Sequence, residues 1–152
     1  MMIHYYVDTS VLLIYTLASG KEVDRYPFVT KLFDLIEAEK IKATTSFYAL
    51  HELYIFALEN APDFDIGSQY GKEAMKIILS TRVQLTPLLT RMERMINARL
   101  FNKLSDSTDL PHAISAKIWG CDVIVAYDEH FASISDIVDY KKPEEIVALL
   151  KE

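Results

Sequence analysis

Apolar residues along the chain fall into two alternating patterns. Short β-prone runs occur over residues 3–7, 41–45, 83–85 and 122–126, with an edge strand expected over 137–139. The first and the fourth are apolar and β-prone on both faces, as central strands of a parallel sheet must be. Longer runs with helical spacing lie between them, over 11–17, 28–40, from Ser46 to about Glu59, and over 68–80, 90–103 and 109–120; Pro143 opens a last helix. Pro111 falls in the first turn of the 109–120 run, where a missing N–H costs no intrahelical bond. Residues 60–63 (Asn-Ala-Pro-Asp) read as a loop and 104–108 as a polar break.

Strands alternating with helices predict an α/β fold, with a parallel sheet of four to five strands between two helical layers. The whole chain, 1–152, is expected to form one such three-layer α/β/α domain. In open sheets of this kind, ligands gather outside the carboxyl ends of the strands. Asp8 and Asp128 stand just past the carboxyl ends of two predicted strands.

Two further acids join them as candidates. Glu52 shares a predicted helix face with Tyr48, Ala49, Ile55 and Phe56, and a carboxylate among apolar residues is costly unless paired or bound to a metal. Asp109 begins a helix, with Asp106 as a competing choice three residues earlier in a polar stretch. Each acid alone also has a plain reading. Asp8 and Asp109 can be helix N-caps, Asp128 a turn residue, and Glu52 an exposed or Arg-paired side chain.

Taken together, these segments resemble the PIN domain of metal-dependent ribonucleases. The matching runs are Val7-Asp8-Thr9-Ser10-Val11-Leu12, Ser46 to Leu53 around Glu52, Asp109-x-x-His112-Ala113-x-x-Ala116, and Val123 to Asp128 followed by Phe131. The resemblance spans about residues 2 to 140, with the acids in the family's order. It implies that Asp8, Glu52, Asp109 and Asp128 converge and bind Mg²⁺ or Mn²⁺. Asp8, Asp109 and Asp128 would be the closest ligands, Glu52 would bind directly or through water, and Ser10 would support the site by hydrogen bonding. Ala126 departs from the family, which often carries Ser or Thr two residues before the last acid. In length the chain resembles the toxin of a VapBC-type pair, which implies RNA as substrate, an antitoxin partner that blocks the acidic cleft, and a homodimer.

The residue types suit this chemistry. Hard cations prefer carboxylate oxygens and waters and need neither Cys nor His. Four carboxylates in one pocket without a metal repel, and some stay protonated. His51 and His112 are therefore assigned to packing or hydrogen bonding, and Tyr5, Tyr6, Tyr48, Tyr54 and Phe56 to the core. A haloacid-dehalogenase-like phosphotransferase would need Asp where Ser10 stands. A non-catalytic PIN-like module that binds RNA or protein is the alternative, and it requires the acids to be dispersed or salt-bridged.

Composition modifies the picture at three points. The formal net charge of −6 argues against a purely electrostatic nucleic-acid binder, although two divalent cations would bring it to −2. Residues 82–103 nonetheless hold five basic side chains against Glu93 alone, and Arg91 and Arg94 share a helix face with Ala98, Phe101 and Asn102. A solvated face is the plain reading of that pair, and contact with an RNA backbone the functional one. The single cysteine, Cys121, fits a reducing cytoplasm, and neither a signal peptide nor a membrane-spanning run is read in the sequence.

Overall fold

The computed structural model describes residues 2–151. Five strands form one sheet: β1 (His4–Val7), β2 (Lys42–Ser46), β3 (Gln84–Thr86), β4 (Val123–Val125) and β5 (Asp139–Lys141). Every pairing is parallel and the order is β3-β2-β1-β4-β5. The chain builds outward from β1 through β2 to β3, then returns to the other side of β1. The order thus reverses between β1 and β4, and that crevice is where such sheets receive ligands.

Among the described residues, α1 (Thr9–Thr16), α2 (Tyr26–Glu37), α3 (Phe47–Glu59), α4 (Phe64–Leu79), α5 (Arg91–Asn97) and α6 (Leu110–Ile118) lie between the strands and α7 (Pro143–Leu149) follows β5, with 3₁₀ turns at Ala98–Phe101 and Glu129–Ile134. Strand alternation sorts the core into two halves. Tyr5, Val7, Val123 and Val125 pack on one face with apolar residues of α1, α2, α3, α4 and α7. Tyr6 and Ile124 pack on the other with α6, Phe101, Phe131 and Ile134. Successive side chains of a strand point to opposite faces, so a central strand covered on both sides is apolar throughout. No helix among the described residues is long and apolar enough to cross a membrane.

Several boundaries differ from the sequence reading. α2 stops at Glu37 rather than 40, because Glu39 takes a left-handed backbone (φ 58°) that turns the chain into β2. α4 begins at Phe64 rather than 68, capped by the Asp63 carboxylate, which accepts from the N–H of Ile66 at 2.9 Å. The 90–103 run breaks after Asn97 into a 3₁₀ turn, which carries Phe101 into the core. The apolar stripe of Met92, Met95 and Ile96 faces outward. β3 and β5 lie one and two residues later than expected, at 84–86 and 139–141. α6 ends where Gly120 adopts φ 71°.

β2 is buried although three of its five residues are hydroxylic, because their hydroxyls are paired: the Thr45 hydroxyl donates to the Val7 carbonyl at 2.8 Å. α3 and α4 approach so closely that a Cβ on Gly67 would lie 2.9 Å from the Leu58 Cα and 3.0 Å from the Ala57 carbonyl oxygen. A Gly67→Ala substitution gains about 1 kcal/mol of helix propensity. It also drives backbone into backbone, an overpacking cost of about 1–3 kcal/mol or more. Net destabilisation is expected, read as a lower midpoint in urea unfolding; unchanged or raised stability would mean that the two helices are not packed this closely.

Candidate metal centre

Asp8, Glu52, Asp109 and Asp128 come from four separate segments and line one cleft of about 510 Å³. It opens at the carboxyl ends of the strands, beside the β1–β4 crevice. Asp106 and Glu59 also line it, and no Lys or Arg does. His51 stands exposed at its edge.

Asp8 follows β1 directly. Its backbone N–H extends the ladder to the Val125 carbonyl at 3.0 Å, which fixes it against β4. It is also the N-cap of α1: Oδ2 accepts from the N–H of Ser10 at 3.1 Å and from its hydroxyl at 2.8 Å. The Ser10 hydroxyl in turn accepts from the N–H of Tyr127 at 3.0 Å, joining the ends of β1 and β4. Capping and site placement therefore coexist in Asp8. Ala126 is fully buried in the second apolar cluster.

Glu52 projects from α3. Its Oε1 accepts from the Thr9 hydroxyl at 2.6 Å and pairs with His112 Nε2 at 2.6 Å. An ionised carboxylate can only accept, so Nε2 carries a proton. His112, on α6, is 2% exposed, and its Nδ1 meets the Tyr6 hydroxyl at 2.6 Å, with the Ser46 hydroxyl 2.7 Å beyond. His112 Nδ1 also lies 3.9 Å from Asp8 Oδ1. The hydrogen-bonding role read for His112 is what the geometry gives. Its signal was the Asp109-x-x-His112 spacing, which sets both on one side of α6. Tyr6 is core, as expected, but its hydroxyl also belongs to this network. Tyr5 is core as well, whereas Tyr48, Tyr54 and Phe56 are half-buried, and Phe56 borders the acidic cleft.

Asp109 sits at the N-cap position of α6 but makes no capping bond. Its Oδ2 instead meets His130 Nδ1 at 3.0 Å, and the same nitrogen lies 3.1 Å from Asp128 Oδ1. His130 was not read as a site residue. Lying two positions after Asp128 in a turn, it has no periodic signal of its own. Asp106 accepts from the N–H and hydroxyl of Thr108, at 2.9 and 2.8 Å. Ligand atoms of Asp106, Asp109 and His130 all lie within 4.8 Å of one another, so the Asp106–Asp109 choice resolves into both lining the site. Arg91 and Arg94 do not line this cleft; they border a neighbouring one.

The electrostatics follow from crowding. Burial pushes the Asp8 carboxyl up, against the opposing charge of His112 and the Ser10 bonds. Burial and the charge of Asp128 push Asp109 up to about 6, against the His130 bond. Burial alone would raise Glu52, but the hydrogen bond and charge of His112 and the Thr9 bond outweigh it and hold Glu52 low. Burial likewise disfavours charge on His112, and the Glu52 bond with the charges of Asp8, Glu52 and Asp109 overcomes it and raises that imidazole. The Asp109 bond and the Asp128 charge raise His130.

A donor set of carboxylates without lysine or arginine among the described residues, in which burial and like charge leave one acid holding its proton to about pH 6, fits a hard divalent cation. The Tyr6 hydroxyl is the hinge of the supporting network. Tyr6→Phe keeps the packed ring but leaves the Ser46 hydroxyl and His112 Nδ1 short of a buried partner, which costs about 1–3 kcal/mol. Chemical denaturation should show that loss, and a variant as stable as the parent would show that the hydroxyl does not hold His112.

No family profile matches the sequence, and no curated protein matches it. Solved structures do. A chain of VapBC2 from Rickettsia felis, solved with a DNA fragment from the promoter, is 18% identical over 92% of this chain and 98% of its own, with a TM-score of 0.65. VapC20 from Mycobacterium tuberculosis, a sarcin-ricin loop cleaving toxin, is 19% identical over 89% of this chain and 97% of its own, with a TM-score of 0.63. DNA-bound VapBC from Salmonella typhimurium gives 18% identity over 93% and 99%, with a TM-score of 0.64. Likeness at this level of identity concerns architecture, and on that ground the chain has the VapC-like PIN-domain fold.

Proposed function

We propose that the chain is a divalent-metal-dependent endoribonuclease and the toxin of a toxin–antitoxin pair. The observation that carries this reading is that four carboxylates from four segments line one lysine- and arginine-free cleft at the strand ends. The likeness to VapC20, named for cleaving the sarcin-ricin loop, points to RNA. The likeness to VapBC complexes points to an antitoxin partner, which would close the acidic cleft with a basic side chain. Exposed Met92, Ile96 and Leu100 offer apolar surface for a homodimer. Such an enzyme would work in the cytoplasm, where the lone Cys121 stays a thiol.

Asp8, Asp109 and Asp128 would hold Mg²⁺ or Mn²⁺, with Glu52 reaching it directly or through water and Asp106 beside Asp109. A divalent cation there supplies water activation at neutral pH and charge neutralisation for an in-line phosphodiester displacement. The protein's own groups set the orientation. Ser10 engages Oδ2 of Asp8 and leaves Oδ1 to the cleft. Thr9 and His112 engage Oε1 of Glu52 and leave Oε2 open. His130, its side chain 54% exposed, can withdraw from Asp109 and Asp128 without disturbing the core. That exposure favours a site that exchanges its cation over a module whose acids are locked in ion pairs.

Incubation with single-stranded and looped RNA should give cleavage in Mn²⁺, none in EDTA, and none for Asp8→Asn with Asp109→Asn. Cleavage that persists in EDTA or in that double variant would overturn the reading. No cleavage together with no Mn²⁺ binding would favour a non-catalytic RNA- or protein-binding module.

The proton on Asp109 adds a pH dependence. Metal binding must displace it, so Mn²⁺ affinity should fall about tenfold per pH unit below about 6. Above that value it should level off, apart from the further contribution of His130. Titration calorimetry at pH 5 in buffers of different ionisation enthalpy should show proton release that Asp109→Asn reduces; affinity flat from pH 5 to 7 would contradict this.

A further inference from the structure

A cleft lined by six carboxylates has nothing with which to hold the phosphates that flank a scissile bond. A polyanionic strand needs cations beside it, and they must sit within a nucleotide or so of the acids. Several basic groups near the strand ends are already engaged. Lys141 pairs with Asp139 and Lys142 with Glu129, while Arg25 pairs with Glu22 and lies over the Tyr127 ring. Lys42 and Arg82 stand at the opposite, amino ends of the strands, and Arg82 is held by Glu39.

Arg91 and Arg94 differ in each respect. Both are exposed, neither has an ion-pair partner among the described residues, and their i, i+3 spacing on α5 sets them on one face. They border a second concavity, of about 340 Å³, whose floor is Met95, Leu110, Pro111 and Ile114 and whose lining contains no acid. One segment separates it from the acidic cleft. Asp106, Thr108 and Asp109 turn into the cleft, while Ser107, Leu110 and Pro111 turn into the concavity. With consecutive Cα atoms 3.8 Å apart, the two sites are the two sides of a single ridge.

We infer that this concavity is the subsite for the RNA nucleotide next to the scissile phosphate, with Arg91 and Arg94 on its phosphates and the apolar floor under its ribose and base. The inference rests on the nuclease reading for the identity of the polymer. Guanidinium forks suit bidentate phosphate contact, and an apolar lining accepts any base, so the subsite holds single-stranded RNA without reading its sequence.

The test compares the parent chain with R91Q/R94Q and with K72Q/R82Q, which loses the same charge elsewhere. Anisotropy of a fluorescent single-stranded RNA bound to the Asp8→Asn protein, with and without the paired changes, is read in parallel with Mn²⁺-dependent cleavage by the parent and both variants. R91Q/R94Q should weaken binding and raise KM about tenfold, with kcat within about twofold. Loss of two phosphate contacts flattens the salt slope by about 1.4, so from about 50 to about 200 mM salt the parent should lose about sevenfold more affinity than the variant. K72Q/R82Q should match the parent. If R91Q/R94Q leaves RNA affinity and salt slope unchanged while the parent still cleaves, the subsite is overturned and the nuclease reading stands; arginines that serve a protein partner give that result. If RNA binding depends on the arginines but nothing is cleaved, the concavity stands as an RNA-binding site and the nuclease reading fails, and with it the placement beside a scissile phosphate. Both arginines are exposed, so matching thermal melts will show that the variants fold.

Discussion

Four carboxylates share one poorly solvated cleft, and two imidazoles divide them into pairs. His112 stands between Glu52 and Asp8, and His130 between Asp109 and Asp128. Asp8 and Asp109 are only 5% and 6% exposed, so their charge cannot be carried by water alone. The two imidazoles are unlike. His112 is buried, hydrogen-bonded at both nitrogens and anchored through Tyr6 to Ser46, so it ties α6 to β1 and β2 as part of the frame. His130 hangs from an exposed 3₁₀ turn with one nitrogen between two acids that would help to hold a divalent cation. One pair is set permanently by the fold, and the other is held by a group that can leave.

This division explains the order of the electrostatics. Glu52, accepting from a buried imidazole N–H and a hydroxyl, is held low, whereas Asp109, buried and facing Asp128 across a shared exposed imidazole, is pushed up to about 6. Two carboxylates next to the same kind of partner behave differently because burial and neighbouring charge differ. The unrelieved repulsion lies on the Asp109–Asp128 side, and there a cation gains most.

The sequence carried the fold where burial was complete and lost it where burial was partial. β1 and β4 were legible because both faces are covered, and the acids that follow them were placed with them. The edge strand was misplaced by two residues because Val138 is buried in a loop, while the actual strand, Asp139-Tyr140-Lys141, is half-exposed and has no apolar alternation. α4 began early because the Asp63 cap and the close packing of Gly67 outweigh a weak local pattern. Within the site, the carboxylates could be read from position, as could Ser10 and His112 among their partners, whereas Thr9 and His130 could not. Thr9 and His130 act through contacts with residues 43 and 21 positions away, and no local spacing encodes those distances.

The acidic net charge is the remaining difficulty for an RNA partner, and the fold shows why a sum is the wrong quantity. What a strand meets is the local field at the carboxyl ends of the sheet, within a Debye length of about 8 Å at physiological salt. The six acids of the cleft and the two exposed arginines lie on opposite sides of the ridge over residues 106–111. On the reading proposed above, an acidic protein can present a basic subsite to RNA while its arginines stay outside the cleft and leave the carboxylates unneutralised. The ridge from Asp106 to Pro111 keeps the two sets of charge apart.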